Sequence, residues 1–182
     1  MRNLIGSLLL CALSLVSLPS HGNGFFSYPA QPLIDAPPFS HHTGRPALVV
    51  LFQPECPHCL NQFRAAQSFA NAHPQIAVVC LSIRGEPQDL LRELRRARIK
   101  LPAYRSSPAL LAALNRPETT PQTYAVNAAG AVVAVARGTR SAAQLAALVA
   151  DTWGKPPSSN VSQSTRPRLQ QSYSSYSVAT SM

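Results

Sequence analysis

The sequence predicts an α/β fold in which a central mixed sheet lies between layers of helices. Two continuous apolar runs, at residues 47–52 and 76–83, are typical of strands buried on both faces. Each run is followed by a segment with helical periodicity, and a pair of short strands and a last helix come later in the chain. Strands and helices that alternate in this order require helices on both faces of one sheet.

Capping and turn residues predict the remaining elements. Pro87 begins the second helix in its first turn, where a missing N–H is tolerated, and Ser141 is a favourable N-cap for the last helix. Gly130 can take the positive φ that a hairpin turn requires. The predicted ranges are 57–72 for the first helix, 107–114 for a short third helix, and 123–126 and 131–136 for the hairpin strands.

The 182 residues suit one domain, predicted at 44–153, with segments on either side. Residues 1–22 have the order of a secretory signal peptide: Arg2, an apolar run, then small and turn-forming residues. We therefore expect a protein that is exported to the bacterial periplasm with cleavage of its signal peptide, and an uncleaved membrane anchor is the alternative. Residues 23–43 are rich in Pro and Gly and are predicted to be extended, with at most one short edge strand. The Ser-rich residues 154–182 are predicted to be disordered.

The chain is basic, with a formal net charge of +9 from 16 Lys and Arg against 7 Asp and Glu. Such a charge could favour anionic membranes, acidic partners or nucleic acid. No zinc-ligand array, aromatic RNA platform or basic arm accompanies it, so nucleic-acid binding is not predicted. A basic cluster on and after the second helix is interpreted as a solvated face, with docking of an acidic partner or lipid surface as the alternative; it consists of Arg92, Arg95, Arg96, Arg98, Lys100 and Arg105.

Cysteine chemistry is the clearest functional signal. Of four cysteines, removal of a signal peptide would leave Cys56, Cys59 and Cys80, which is too few for a disulfide scaffold. Cys56 and Cys59 lie where the first strand leads into the first helix, so the free N–H groups and dipole of the helix favour a thiolate on Cys56. Cys56 is therefore assigned as the nucleophile and Cys59 as the resolving thiol.

The residues around the pair leave the redox potential open. His58 should stabilise the Cys56 thiolate, whereas the carboxylate of Glu55 should oppose it. Cys80 is interpreted as buried apolar filler within a strand, and His41 and His42 as an exposed loop. A C-x-x-C pair can also be half of a zinc site or a structural disulfide, but the other candidate ligands lack suitable spacing. No metal or cofactor is predicted.

On these residues the chain resembles the thioredoxin superfamily, in particular the TlpA/ResA-like exported thiol–disulfide oxidoreductases. The first anchor is Cys56-Pro57-His58-Cys59 after a strand, and the second is the segment 119–130, Thr-Thr-Pro-Gln-Thr-Tyr-Ala-Val-Asn-Ala-Ala-Gly. The resemblance, over residues 44–153, implies a three-layer thioredoxin fold. It also implies that Pro121 is a cis-proline facing the cysteine pair, with Thr120 before it and with Pro57 and His58 in supporting roles.

The resemblance also implies a function. We expect disulfide exchange with protein thiols and disulfides, a membrane-bound redox partner and a monomer, with the direction of electron flow undetermined. Two departures bear on that direction: Glu55 stands where relatives usually have Trp, and Val50 stands at the approximate place of their buried acid. The alternatives are a thioredoxin-fold copper-binding module that uses the dithiol as a soft ligand, and a non-catalytic adaptor that binds through the basic helix.

Overall fold

The computed structural model describes residues 24–34 and 36–153. The predicted signal peptide, residues 1–22, and the predicted disordered tail, residues 154–182, lie outside the described residues. In the described part, a six-stranded mixed sheet is flanked by helices on both faces, so the predicted three-layer α/β architecture is confirmed. The strands are β1 (Ala30–Leu33), β2 (Ala47–Phe52), β3 (Ala77–Ser82), β4 (Ala103–Ser106), β5 (Gln122–Val126) and β6 (Val132–Arg137). The helices are α1 (Cys59–Ala72), α2 (Pro87–Ala97), α3 (Pro108–Ala113) and α4 (Ala142–Trp153).

The sheet has the strand order β1-β4-β3-β2-β5-β6. The central strands β2, β3 and β4 are parallel, whereas β5 runs antiparallel to β2, and the two edge strands β1 and β6 are antiparallel to their neighbours. Every residue of β2 and β3 is buried. The continuous apolar runs of the sequence therefore correspond to strands covered on both faces, as predicted.

Alternation along the central strands divides the interior into two cores. Leu48, Val50 and Phe52 of β2 point to one face, where they pack with α1, α2 and α4; we call this the α1-side core. Val49 and Leu51 point to the other face, where they pack with α3 and with the segment before β2; we call this the N-terminal-side core. The sheet thus separates two cores, and β2 contributes side chains to both.

The segment before β2 contains the one short edge strand that the prediction for residues 23–43 allowed, namely β1, which pairs with β4. It differs from the predicted extended form in two 3₁₀ turns, at Phe25–Ser27 and Phe39–His42. Phe25, Phe26 and Phe39 are buried in mutual contact and join the N-terminal-side core. These aromatic residues have no periodic spacing among the prolines, so only their packing on the sheet defines the segment's structure.

The prediction of an exposed His41-His42 loop is wrong for His42, which is buried. Its Nε2 atom lies 2.8 Å from the Tyr104 hydroxyl, and that hydroxyl donates its hydrogen to the Pro37 carbonyl. Tyr104 has one hydrogen to give, so it accepts from His42, and Nδ1 is the unprotonated ring nitrogen. Desolvation by burial, with smaller contributions from His41 and Arg45, lowers the pKa of His42 to about 4.

Strand β4 is an element that the sequence pattern did not predict. It has only four residues, it follows Pro102, and it lies between β3 and β1. Such a short segment shows no usable alternation, and its pairing partners lie far away in the chain. Among the helices of the described residues, none is both long and apolar enough to cross a membrane.

Candidate active site

Cys56 and Cys59 are joined by a disulfide bond, with their Cα atoms 5.4 Å apart. Cys56 lies in the turn after β2, and the Cys59 N–H donates to the Cys56 carbonyl at 3.2 Å. The helix begins at Cys59 rather than at Pro57 as predicted, because the first α-helical hydrogen bond runs from Gln62 N–H to the carbonyl of His58. Cys56 therefore lies immediately before the free N–H groups of α1.

Burial differs sharply within this short motif. Cys56 and Cys59 are 7% and 3% exposed and belong to the α1-side core, whereas Pro57 and His58 between them are exposed. The disulfide is consequently a buried apolar group under an exposed turn.

The backbone before Cys56 is held in an unusual conformation. Glu55 has φ of +58°, in the left-handed region that non-glycine residues seldom occupy. The neighbouring Pro54 ring packs against Gly85 in the loop after β3, where an added Cβ would lie 2.6 Å from Pro54 Cγ. Gly85 itself has φ of +113°. Close packing of these two loops thus fixes the approach of the chain to Cys56.

The peptide bond between Thr120 and Pro121 is cis, as the resemblance implied. Pro121 directly precedes β5, and Gln122 of β5 pairs with Leu51 of β2 in antiparallel register. The start of β5 and the end of β2 therefore lie side by side. The cis-proline and the cysteine turn are at the same end of the sheet.

Hydrogen bonds fix the loop that carries Thr120 and Pro121. The buried Gln122 side chain donates from Nε2 to both the carbonyl and the hydroxyl of Thr119, each at 2.9 Å. Gly138 N–H donates to the Pro121 carbonyl at 2.9 Å. Within residues 24–34 and 36–153, the backbone of Thr120 makes no such bond. Its N–H and carbonyl are therefore unpaired within these residues.

Gln62 is a buried polar residue that the sequence analysis did not single out. It lies one turn after Cys59 on α1, it is 0% exposed, and its Oε1 accepts from the Arg140 N–H at 2.6 Å. This bond ties α1 to the loop that also holds Pro121 through Gly138. The available signal was a glutamine three residues after the second cysteine, on the same helix face.

No carboxylate in the described part of the chain is buried near the cysteine pair. Val50, at the approximate place of the family's acid, is fully buried in the α1-side core with Cys56 and Cys59. Glu55 and Glu118 are exposed. The residue at that place is therefore apolar and cannot relay a proton.

The third cysteine is separate from the pair. Cys80 is fully buried in β3, opposite Val50, and desolvation by burial raises the pKa of its thiol. The predicted burial of Cys80 within a strand is confirmed. Among the described residues, no group of three or more His, Cys, Asp or Glu side chains is arranged to hold a metal ion.

Comparison with known proteins shows which family the chain belongs to. The family model described as TraF, F plasmid transfer operon protein, matches residues 39–149. The chain belongs to the TraF family. A search among curated proteins finds no sequence match for this TraF-family protein. The family description names an operon rather than a reaction, so the activity has to be inferred from the site.

Solved structures confirm the thioredoxin fold of this TraF-family protein. A secreted Mycobacterium tuberculosis disulfide oxidoreductase homologous to E. coli DsbE matches with a TM-score of 0.60 and 20% identity, covering 70% of this chain and 97% of the other. A thioredoxin-family thiol:disulfide interchange protein from Chlorobium tepidum gives 0.59 and 20%, covering 70% and 95%. A thiol-disulfide isomerase from Corynebacterium glutamicum gives 0.58 and 21%, covering 69% and 92%. At these identities the likeness concerns the fold.

Proposed function

We propose that the protein is an exported thiol–disulfide oxidoreductase that exchanges disulfides with protein substrates. The observation that carries this proposal is the Cys56–Cys59 disulfide at the start of α1, at the same end of the sheet as the cis-proline Pro121. Two cysteines in this arrangement can store and release two electrons without a cofactor.

The exchange takes place in two steps, written here for the reducing direction. The Cys56 thiolate attacks a substrate disulfide, forms a mixed disulfide, and releases one substrate thiolate. The Cys59 thiol loses its proton and attacks the Cys56 sulfur, which releases the second substrate thiolate and forms the Cys56–Cys59 disulfide. Two electrons and two protons pass to the substrate, and the oxidising direction is the reverse.

The free backbone of Thr120 supports a role in holding the substrate. An extended polypeptide beside the cis-proline loop can form main-chain hydrogen bonds with it, as a strand added to a sheet edge does. Pro121, fixed through its carbonyl by Gly138, would keep that edge in position. Pro57 and His58, exposed between the cysteines, would contact the partner, and the imidazole of His58 would stabilise the Cys56 thiolate.

The direction of electron flow depends on the redox potential. The similar solved structures carry names that imply different uses, namely an oxidoreductase, an interchange protein and an isomerase. The imidazole of His58 favours an oxidising pair, and the carboxylate of Glu55 opposes it. A midpoint potential of about −270 mV for the Cys56/Cys59 pair would indicate a reductase, and a midpoint potential of about −120 mV would indicate an oxidant.

Export to the periplasm and a membrane-bound redox partner are part of the proposal. The signal-like order of residues 1–22 supports export, and one protein with a similar fold is described as secreted. A cysteine pair that turns over repeatedly has to be reduced or oxidised again by another protein, which calls for a redox partner. We expect the protein to act as a monomer. Protease protection in spheroplasts of the expressing cell would test export.

Trapping of mixed disulfides tests the exchange reaction itself. In the Cys59→Ser variant, Cys56 can attack a substrate, but no second thiol releases the substrate from the mixed disulfide. Covalent complexes should therefore accumulate, and dithiothreitol should cleave them by reduction. The Cys56→Ser/Cys59→Ser double variant is the matched control and should capture nothing. Equal capture by both variants would contradict the proposal.

A further inference from the structure

A pocket of about 250 Å³ opens between the loop after β3 and the loop that leads to Thr120. Its apolar lining includes Ile83, Leu111 and Pro117. Ligand pockets for small molecules are usually larger, from about 300 to 1,000 Å³. The size therefore suits one or two side chains of a polypeptide.

The rim of this pocket is charged. Arg84, Arg116 and Glu118 line it, and all three are exposed. Within residues 24–34 and 36–153, the ion pairs join Arg92 to Asp89 and Arg105 to Glu86, so neither rim arginine is neutralised by a salt bridge. Two guanidinium groups against one carboxylate leave the rim positive.

Backbone contacts place the pocket beside the cysteine turn. Ile83 N–H donates to the carbonyl of Phe52 at 2.9 Å, at the end of β2 just before the turn. Gly85, next to Arg84, packs against Pro54. On the other side, Glu118 precedes the Thr119–Pro121 loop. A polypeptide that reacts at Cys56 and runs beside Thr120 can therefore reach this pocket.

The segment that carries Arg116 is held in an unfavourable conformation. Asn115 and Arg116 have φ of +56° and +48°, so two successive non-glycine residues are left-handed. The Arg116 N–H donates to the Leu111 carbonyl at 2.7 Å, which anchors the segment to α3. Such conformations cost about 1 kcal/mol or more each and concentrate at binding sites.

We propose that this pocket is a substrate subsite for an apolar side chain next to a carboxylate. The floor removes apolar surface from water, and the arginines bind an Asp or Glu of the substrate through charge-assisted hydrogen bonds. The substrate class is therefore a polypeptide with an acidic-apolar pair close to its reactive cysteine. This inference rests on the proposed function and adds a specificity to it.

Three synthetic peptides test the subsite, each carrying one cysteine in a mixed disulfide with 2-mercaptoethanol. The first has Leu-Asp near the cysteine, the second has Leu-Lys, and the third has Gly-Asp. Reduced full-length protein converts each to peptide thiol and 2-mercaptoethanol while its own disulfide forms. We expect the Leu-Asp peptide to react about tenfold faster than either of the others, with the advantage over Leu-Lys lost near 1 M salt, where the Debye length is about 3 Å.

Charge variants locate the preference. Arg84→Glu/Arg116→Glu should favour the Leu-Lys peptide, and Arg84→Gln/Arg116→Gln should remove the preference without reversing it. Glu118→Gln should increase it. The matched control Arg64→Glu/Arg95→Glu makes the same change in net charge on exposed faces of α1 and α2, and should leave the wild-type ratio.

Bis(2-hydroxyethyl) disulfide, which is uncharged and small, separates the two proposals. The wild type and the control Arg64→Glu/Arg95→Glu should reduce it at one rate, and for each subsite variant the rate with this compound is the reference against which its three peptide rates are compared. Equal rates for the three peptides, or an equal loss of preference in the control, would overturn the subsite while the exchange activity stands. Failure of the wild type to exchange with the bis(2-hydroxyethyl) disulfide/2-mercaptoethanol couple in either direction would overturn the proposed function and the subsite with it.

Discussion

The cores on the two faces of the sheet contain different kinds of groups. The α1-side core contains the disulfide, Val50 and the buried thiol of Cys80, and among the described residues it has no buried carboxylate. The N-terminal-side core contains an aromatic cluster and a hydrogen-bonded chain from His42 through Tyr104 to Pro37. Chemistry and stabilisation are thus divided across one sheet. Changes beside the disulfide should alter exchange, whereas changes in the aromatic cluster should alter folding.

The largest effect is expected from the cysteines themselves. Cys56→Ser should lower disulfide exchange by at least about 10³-fold, because the attacking thiolate is lost. Cys80→Ala is the control on the same face, and it should keep full activity because that thiol is fully buried. An insulin reduction assay measures the exchange activity of both variants. Loss of exchange in folded Cys80→Ala would refute the assignment of the pair.

On the opposite face, Phe39→Ala should lower the free energy of unfolding by about 3–5 kcal/mol. The Phe39 ring lies 5.0 Å from Phe26 and 4.9 Å from Tyr104 between ring centroids, so truncation leaves a cavity in the cluster. Urea unfolding measures the loss. The folded fraction should exchange disulfides at the wild-type rate, and a slower rate would show that the two faces are coupled.

The same face should respond to pH. The pKa of His42 is about 4 in the folded protein, below the ordinary value of 6.5. Between those pH values the unfolded chain binds more protons at His42 than the folded chain does. The free energy of unfolding therefore increases with pH over this range, and it decreases as pH falls from about 6.5 to about 4. We expect a loss of about 2–3 kcal/mol.

Urea unfolding across that pH range checks this expectation, with His42→Phe as the control. The variant removes the titrating group and leaves the Tyr104 hydroxyl bonded to Pro37. Its pH dependence should be shallower than that of the wild type over this window. Identical curves for the two proteins would assign the acid sensitivity to other groups.

Gly85→Ala should affect both stability and exchange. The new Cβ would lie 2.6 Å from Pro54 Cγ, and φ of +113° is unfavourable for alanine, so we expect a loss of about 1–3 kcal/mol and slower exchange as the cysteine turn shifts. Gly44→Ala is matched in having a positive φ, of +80°, but nothing lies within 4 Å of its Cβ. It should lose stability alone, and slower exchange in Gly44→Ala would contradict a local effect at Pro54.

The smallest effect concerns the start of α4. The Ser141 hydroxyl accepts from Gln144 N–H at 3.2 Å, and the Gln144 side chain accepts from Ser141 N–H at 2.9 Å. Ser141→Ala should therefore cost about 1 kcal/mol by thermal unfolding. Disulfide exchange should stay at the wild-type rate, and an altered rate would mean that this cap helps to hold the active site.

Local signals predicted the centre of the fold well. The apolar runs became β2 and β3, Pro87 begins α2, and Ser141 caps α4. The N-terminal segment and β4 were not predicted in their observed form, because long-range pairing and packing define them. His42 was misplaced for the same reason, since its partner Tyr104 is remote in the chain.

The chemistry of the site was also predicted in part. Spacing located Cys56 and Cys59, and the resemblance implied the cis bond before Pro121. The supporting contacts of Gly85 with Pro54, and of Gln62 with Arg140, could not be read from sequence. Each joins loops that only the folded sheet brings together, and nothing local to either residue indicates its partner.

Redox equilibration with glutathione tests the pairing of Cys56 with Cys59 most directly. The protein is held at a series of glutathione ratios, quenched with an alkylating agent and weighed by mass spectrometry. We expect both cysteines to change together in one two-electron step, with a midpoint between about −270 and −120 mV, while Cys80 stays unmodified in the folded protein. Independent alkylation of Cys56 and Cys59 at every ratio, with no reversible step, would contradict a redox pair at this site.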